Sequence, residues 1–404
     1  MEKHEIITQA MHKIDPDQIV DLVKNLVRIP SVTGQEKAVA DWCVQYFKEQ
    51  GIPVQTFQRV TDRPSVVASI GGTKSPHIIL NGHLDTVPIA NPAAWTETDP
   101  YNPIVKDNRL YGRGSYDMKG ACAVIAYMMT ILHELSQDVE LKGSVSAQLV
   151  SDEEKGGDFG TQYLLAQMKA GKLPRPDYVF IGEPSKNKIR NAERGVFQFQ
   201  ITFTGRASHT CNARWQGINA IEKASKAILA LQRDLENFHP SVGYPVISVN
   251  RIEGGKVNNQ VPAECTITVD RRTVPGETKE TVLEETRQQL DEIGEDDSDF
   301  VYTIHPWFSE DGREQYDPAN ITDTDSQLVT TVQEVLRKFL AREPEFFVDW
   351  AGGTDGRFYR YAGIQTVGFG PEGDGAHGAN EYVKIDTLTI QAKVFLGTIL
   401  SLLL

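Results

Sequence analysis

Along most of this 404-residue chain, short strand-like runs alternate with helical ones, and near residue 193 the alternation stops. "VQTFQ", "SVVASI", "HIILNG", "GSVSAQLV" and "DYVFIG" read as strands. Helical stretches lie before and between them. Asp15-Pro16 opens an apolar stripe of Ile19, Val20, Leu22, Val23, Leu26 and Val27, with Asp15 as N-cap, Pro16 in the first turn and Pro30 as the stop. "EKAVADWCVQYFKEQ" is a second helix closed by Gly51; residues 119–135 and "FGTQYLLAQMKA" supply two more. Strands alternating with helices predict an α/β domain with a mixed, mostly parallel sheet covered on both faces.

From residue 193 the pattern differs. "GVFQFQITFTG" alternates with period two, as a half-exposed strand does. A helix over 216–236, the strands "YPVISVNRI" and "AECTITVDRR", a helix over 277–292 and the strand "DFVYTIH" follow. That order, β-α-β-β-α-β, predicts a ferredoxin-like α+β domain. Helix–strand alternation resumes after Asp325. The expected plan is one α/β domain built from residues 1–192 and 309–404, with a domain of residues 193–308 inserted into it.

The charge balance, 41 basic against 55 acidic residues and −14 net, argues against nucleic acid as a partner. Cys43, Cys122, Cys211 and Cys265 form no CxxC pair, which predicts no disulfide framework and a reducing, cytoplasmic setting. "MEKHEIITQAMHKIDPDQ" lacks the apolar core of a signal peptide. The apolar tail "TLTIQAKVFLGTILSLLL" is interrupted by Gln391 and Lys393 and reads as a packed helix, so no membrane is expected.

The ends of the strands carry the chemistry. "HIIL" runs into Asn81-Gly82-His83-Leu84-Asp85; "SVSAQLV" runs through Ser151 into Asp152-Glu153-Glu154; "DYVFIG" runs into Glu183; "IQTVGFG" leads to a Gly-rich loop and His377. Asp117 follows a hairpin-like "DNRLYGRG". Singly, each of these is better explained as a structural histidine or a helix cap. Together, Asp85, Asp117, Glu153, Glu154 and Glu183 at one sheet edge would repel one another, and desolvated carboxylates must take up protons or find cations. No matching cluster of Lys or Arg lies in these loops. Two imidazoles with carboxylates suit Zn²⁺, with Co²⁺ or Mn²⁺ as alternatives. Two such ions sharing one carboxylate, about 3.5–4 Å apart, would make a hydrolytic site.

"NGHLDTVP", "YGRGSYDMKG", "SDEEKGG", "GEPS" and "GAHGANE" occur in that order and resemble the motif set of the M20 metallopeptidase/deacylase family. The resemblance runs from "RIPSVTGQE" to "HGANEYV". It implies a zinc-dependent exopeptidase-like catalytic domain with an inserted lid or dimerisation domain. It also implies that His83 binds one metal and His377 the other. Asp117 bridges them, with Glu183 on the His83 side and Glu154 on the His377 side. Asp85 orients His83, and Glu153 is the general base for attack by a metal-bridging hydroxide. "GRASHTCNARWQGINAI" resembles the lid motif, with His209 as oxyanion donor to a partner subunit's site. "NNQVPAECTITVDRR" places Asn259 and Arg272 at the positions that hold a substrate carboxylate; Arg271 should point to the opposite strand face. "GGTDGRF" resembles the family's Gly-Gly-Thr loop, with Gly353 and Thr354 against the substrate.

The resulting expectation is a homodimeric hydrolase with two Zn²⁺ per subunit that removes an acyl group from an N-acyl amino acid, of the acetylornithine deacetylase or succinyl-diaminopimelate desuccinylase type. A metallo-dipeptidase or carboxypeptidase would use the same site. A metal-dependent binding protein without catalysis is a third reading, against which the intact Glu153 speaks. Gly368-Phe369-Gly370-Pro371-Glu372-Gly373 fits GxGxxG, but Pro371 and the residues after it leave no helix for a dinucleotide to sit on.

Overall fold

A computed structural model gives the fold and describes residues 2–72, 74–309, 312–348 and 352–404. The chain forms two units: Met1–Asn191 with Thr322–Phe347 and Thr354–Leu404, and Ala192–Ile321 with Val348–Gly353.

The first unit begins with α1 (Lys3–His12), α2 (Pro16–Val27) and α3 (Lys37–Glu49). The Asp15 carboxylate accepts the Asp17 N–H and starts α2, whose Ile19, Val20, Val23, Leu26 and Val27 are buried. Strands β1 (Val54–Phe57), β2 (Ser65–Ile70) and β3 (His77–His83) follow, then a hairpin of β4 (Ile104–Lys106) and β5 (Arg109–Tyr111). Next come α4 (Lys119–Asp138), β6 (Ser144–Val150), α5 (Thr161–Lys169) and β7 (Tyr178–Ile181).

In the second unit, β8 (Ala192–Glu193) and β9 (Gly195–Thr204) precede α6 (Ala213–Gln216), α7 (Ala220–Leu231), β10 (Val246–Gly254), β11 (Glu264–Thr273), α8 (Lys279–Glu295) and β12 (Val301–Pro306). β9 buries Phe197, Phe199, Ile201 and Phe203 and turns Gln198, Gln200 and Thr202 to the other face, where they hydrogen-bond to Asp270, Thr268 and Thr266 of β11. The antiparallel order β10-β11-β9-β12 is the ferredoxin-like arrangement. Two short strands, β13 (Tyr316–Asp317) on β9 and β14 (Asn320–Ile321) on β8, carry this unit past the boundary expected at 308.

The helix expected over 216–236 is α7, shorter at both ends: it spans Ala220–Leu231, and Gln216 closes the separate turn α6. Ile218 exchanges both backbone hydrogen bonds with Arg206, and Asn219 caps α7 by accepting the Ile221 N–H. A Cβ on Gly217 would lie 2.6 Å from the Ser208 hydroxyl, so the chain passes there too closely for a helix to continue.

The first unit resumes with α9 (Gln327–Leu340), α10 (Gly356–Tyr361), β15 (Gln365–Gly368), β16 (Gly373–Asp374), β17 (Tyr382–Lys384) and α11 (Ile385–Leu403). Its main sheet has the order β1-β2-β6-β3-β7-β15. The β6–β3, β3–β7 and β7–β15 pairs are parallel, and β1 and β2 add an antiparallel edge. Helix α11 has the length and apolarity of a membrane span, yet packs on α1, α2, α4 and α9 with most of its side chains buried. The interrupting Gln391 is part of that packing: its amide donates to the Gly182 and Phe369 carbonyls just beyond β7 and β15.

Candidate metal centre

Parallel pairing aligns the C-terminal ends of β3, β6, β7 and β15 at one sheet edge, the usual place for an α/β site. His83 ends β3, Glu153 and Glu154 lie in a short 3-10 turn after β6, Glu183 follows β7, and Asp117 lies just before α4. His83 Nε2 is 3.1 Å from Asp117 Oδ1 and 3.3 Å from Glu183 Oε1. His377 Nε2 is 3.3 Å from Asp117 Oδ2 and 3.0 Å from Glu154 Oε2. Asp117 thus faces one imidazole with each oxygen.

These separations suit a metal. Ligands held tetrahedrally at about 2.0–2.1 Å from Zn²⁺ are themselves about 3.3 Å apart. His83, Asp117 and Glu154 offer donor atoms all within 4.8 Å of one another, and so do His83, Glu153 and Glu183. Glu153 therefore lies among the donors on the His83 side.

The electrostatics agree. Burial lifts Glu153 well above the ordinary carboxylate range, with the Glu183 charge adding to the effect; it pushes Glu154 up to about 7 and also raises Glu183. Burial opposes a charge on His83, but Glu183 and Asp117 outweigh it and hold the imidazole well above its ordinary value. The hydrogen bond to Asp117 raises His377 to about 9. Burial of Asp117 is outweighed in turn by its bonds to both histidines, and its carboxyl falls far below the usual range. Desolvated carboxylates are thus holding protons, or drawing them onto the imidazoles, where a divalent cation would serve both. Lys119 is not that counter-charge: its ammonium donates to the Leu26 and Ile29 carbonyls, and burial lowers it to about 8.

Asp85 contacts His83 through its main chain. His83 Nδ1 lies 2.8 Å from the Asp85 main-chain oxygen, whereas the nearest carboxylate oxygen is 3.7 Å away, too far for a hydrogen bond. The carboxylate instead accepts the Thr33 hydroxyl at 2.9 Å and the N–H groups of Glu153 and Glu154 at 3.1 and 3.3 Å. Its side chain holds the two-glutamate turn and its backbone holds the imidazole. Asp152 starts that turn with a left-handed φ of 72° and takes an ion pair from Arg63, which also grips buried Glu36. Gly370 is obligatory nearby: a Cβ there would sit 1.9 Å from the Glu183 carbonyl oxygen. The GxGxxG match accordingly opens no helix; its last glycine, Gly373, begins β16.

His209 and Asn259 are exposed in the second unit and adjacent through the Thr210 N–H to Asn259 carbonyl bond. His209 Nδ1 accepts the Cys211 N–H, which leaves Nε2 as the donor nitrogen of the neutral ring. Arg272 is ion-paired to Asp270 in β11, and Arg271 is buried on the opposite strand face with Glu277 and Glu285. Arg272 and Asn259 are not brought together. Glu264, close to Asn259, and Arg272 lie at opposite ends of β11, eight residues or about 27 Å apart. Gly353 is half-buried. Thr354 is buried, and its hydroxyl accepts the Gly356 N–H at the start of α10.

Three groups around the cluster were not among the expected site residues: half-buried Arg63, and buried Glu381 and Asp355, the last expected only as part of a helix N-terminus with a local ion pair. Arg63 had no motif to mark it. Glu381 lies inside "GAHGANE". Asp355 accepts the Thr161 hydroxyl at 2.6 Å, within a network of Asn81, Tyr359 and Gln148, and its other oxygen has no hydrogen-bond partner among the described residues.

A sequence model of Peptidase family M20/M25/M40 matches residues 79–401. The succinyl-diaminopimelate desuccinylase of Marinobacter nauticus is 27% identical over 95% of this chain and 98% of its own length. Among solved structures, aminopeptidase PepT from Bacillus cereus superposes with a TM-score of 0.73 at 20% identity, covering 96% of this chain and 99% of that one. A Bacillus subtilis protein described as a dinuclear metal-binding peptidase of the M20 family superposes with a TM-score of 0.70 at 19% identity, covering 96% and 98%.

Proposed function

The chain belongs to Peptidase family M20/M25/M40 and is a metal-dependent hydrolase acting on amides, and from that premise we propose that it cleaves the amide of an N-acyl amino acid or related N-acyl amine at a two-metal centre. One observation carries the reading: the chain His83–Asp117–His377, closed by Glu183 and Glu154, with four N···O separations of 3.0–3.3 Å. His83, Asp117 and Glu183 would hold one Zn²⁺, and His377, Asp117 and Glu154 the other, with Co²⁺ or Mn²⁺ able to replace zinc. When bound, such a pair supplies water activation near neutral pH and polarises the scissile carbonyl.

The chain's own residues do the rest. Glu153 takes the proton of the attacking water and passes it to the leaving amine. Its burial suits a group that must carry a proton between those two events. His209, with Nε2 as donor, stabilises the oxyanion. Asn259 and Arg272 hold the substrate carboxylate. One chain cannot bring the two ends of β11 to one small substrate, which supports a homodimer in which His209 and Asn259 serve the partner copy's site. The second unit is then a dimerisation domain, and a cytoplasmic setting is consistent with four unpaired cysteines.

The acyl side of the reading draws on the desuccinylase relative. A kinetic panel of N-acetyl-, N-succinyl- and N-formyl-amino acids against plain dipeptides tests it. The proposal expects the highest kcat/KM on an acyl amino acid; faster turnover of dipeptides than of every acyl amino acid would replace it with a peptidase.

A further inference from the structure

Glu381 comes four residues after His377, and its side chain is fully buried. Its carboxylate does not point at the metal donors. Oε1 accepts the N–H groups of Tyr116 and Asp117, both at 3.0 Å. Oε2 accepts the Gly114 N–H at 2.9 Å and Arg113 Nη1 at 2.6 Å. Arg113 Nη2 in turn donates to the Gly378 carbonyl at 2.9 Å, and the Gly112 N–H donates to the Glu381 carbonyl. One carboxylate thus gathers three backbone N–H groups and a guanidinium, fastening the segment that ends in Asp117 to the loop that carries His377.

We propose that Glu381 is a positioning residue that fixes Asp117 between the two imidazoles, and that the metal on the His377 side depends on it more than the metal on the His83 side. The inference rests on the two-metal reading above. The asymmetry follows from how the donors are mounted. His83 is the last residue of a central strand and is 1% exposed; Glu183 follows a second strand and is 5% exposed. His377 has left-handed φ of 62°, lies in a loop and has a side chain 55% exposed; Glu154 comes from a short turn. If Asp117 drifts, the His83 side keeps two donors fixed by the sheet, and the His377 side keeps two donors mounted on loops.

The test compares wild type with Glu381→Gln, which keeps the volume but replaces one acceptor oxygen with an amide that cannot accept. Metal-free protein is titrated calorimetrically with Zn²⁺, and hydrogen–deuterium exchange of residues 112–118 is followed without metal. The inference expects faster exchange in that segment and a second Zn²⁺ equivalent weakened about 10–100-fold, the usual effect of losing an outer hydrogen-bond partner, with a smaller loss at the first. Unchanged exchange would overturn it, and so would equal weakening of both equivalents. A wild type that binds fewer than two Zn²⁺ counts against the two-metal reading, and the exchange result then decides the role of Glu381 by itself. Should Glu381→Gln fail to fold, Glu381→Asp carries the same measurements with both oxygens retained but withdrawn.

Discussion

Replacing Asp85 with Asn separates what its backbone does from what its carboxylate does. The two oxygens accept three donors: Oδ1 takes the Glu153 N–H, and Oδ2 takes the Glu154 N–H and the Thr33 hydroxyl. Asn supplies one oxygen and one NH₂. Thr33 can rotate its hydroxyl to accept from that NH₂. A backbone N–H cannot reverse, so in either amide orientation one of the two loses its acceptor. A buried unsatisfied donor costs about 1–3 kcal/mol. Asp85→Asn should therefore lower the unfolding free energy of metal-free protein by about 2 kcal/mol, measured as a shifted urea midpoint at unchanged slope. His83 keeps its bond to the Asp85 main-chain oxygen, so the first Zn²⁺ should bind nearly as in wild type while kcat falls with the displaced Glu153 turn. A variant of wild-type stability that fails to bind the first Zn²⁺ would refute this reasoning and return the carboxylate to the imidazole.

Glu153→Gln should retain both Zn²⁺ equivalents and lose about 10²–10⁴-fold in kcat, the worth of a general base, whereas Glu154→Gln should lose the second equivalent; calorimetry beside steady-state kinetics checks both. His77, at the far end of β3 from the metal donors, is held by burial at about 4, below its ordinary 6.5, with Nδ1 2.7 Å from the Ser144 hydroxyl. The folded value lies below the unfolded one, so the unfolded chain gains the proton first as pH falls. Stability should drop between pH 6.5 and 4 by up to about 3 kcal/mol, and His77→Gln should remove that part of the slope in urea unfolding across the window.

The strand ends were legible because parallel pairing leaves little choice: once β3, β6, β7 and β15 lie side by side, whatever follows each of them meets at one edge. The period-two run of β9 likewise fixed which face of the second unit is buried. What stayed hidden is mostly backbone. Every residue type carries the same carbonyl, so no motif could show that Asp85 holds His83 through its main chain. Glu381 was quoted within a motif, but a carboxylate that collects N–H groups looks in sequence like any solvated acid. The helix expected from 216 starts only at Ala220 because Ile218 pairs with Arg206 and Gly217 passes close to Ser208, tertiary contacts that local propensity does not show. Arg63 sits in a loop with no periodicity to mark it, although its grip on Glu36 and Asp152 helps set the turn of Glu153.

A crystal grown with Zn²⁺ and measured at the zinc absorption edge tests the central claim most directly. The account predicts two anomalous peaks about 3.5–4 Å apart. One lies among His83, Asp117 and Glu183, the other among His377, Asp117 and Glu154, and Glu153 coordinates neither. A single peak held by His83, Glu183 and Glu153, the other donor set these side chains offer, would make Glu153 a ligand and contradict the account.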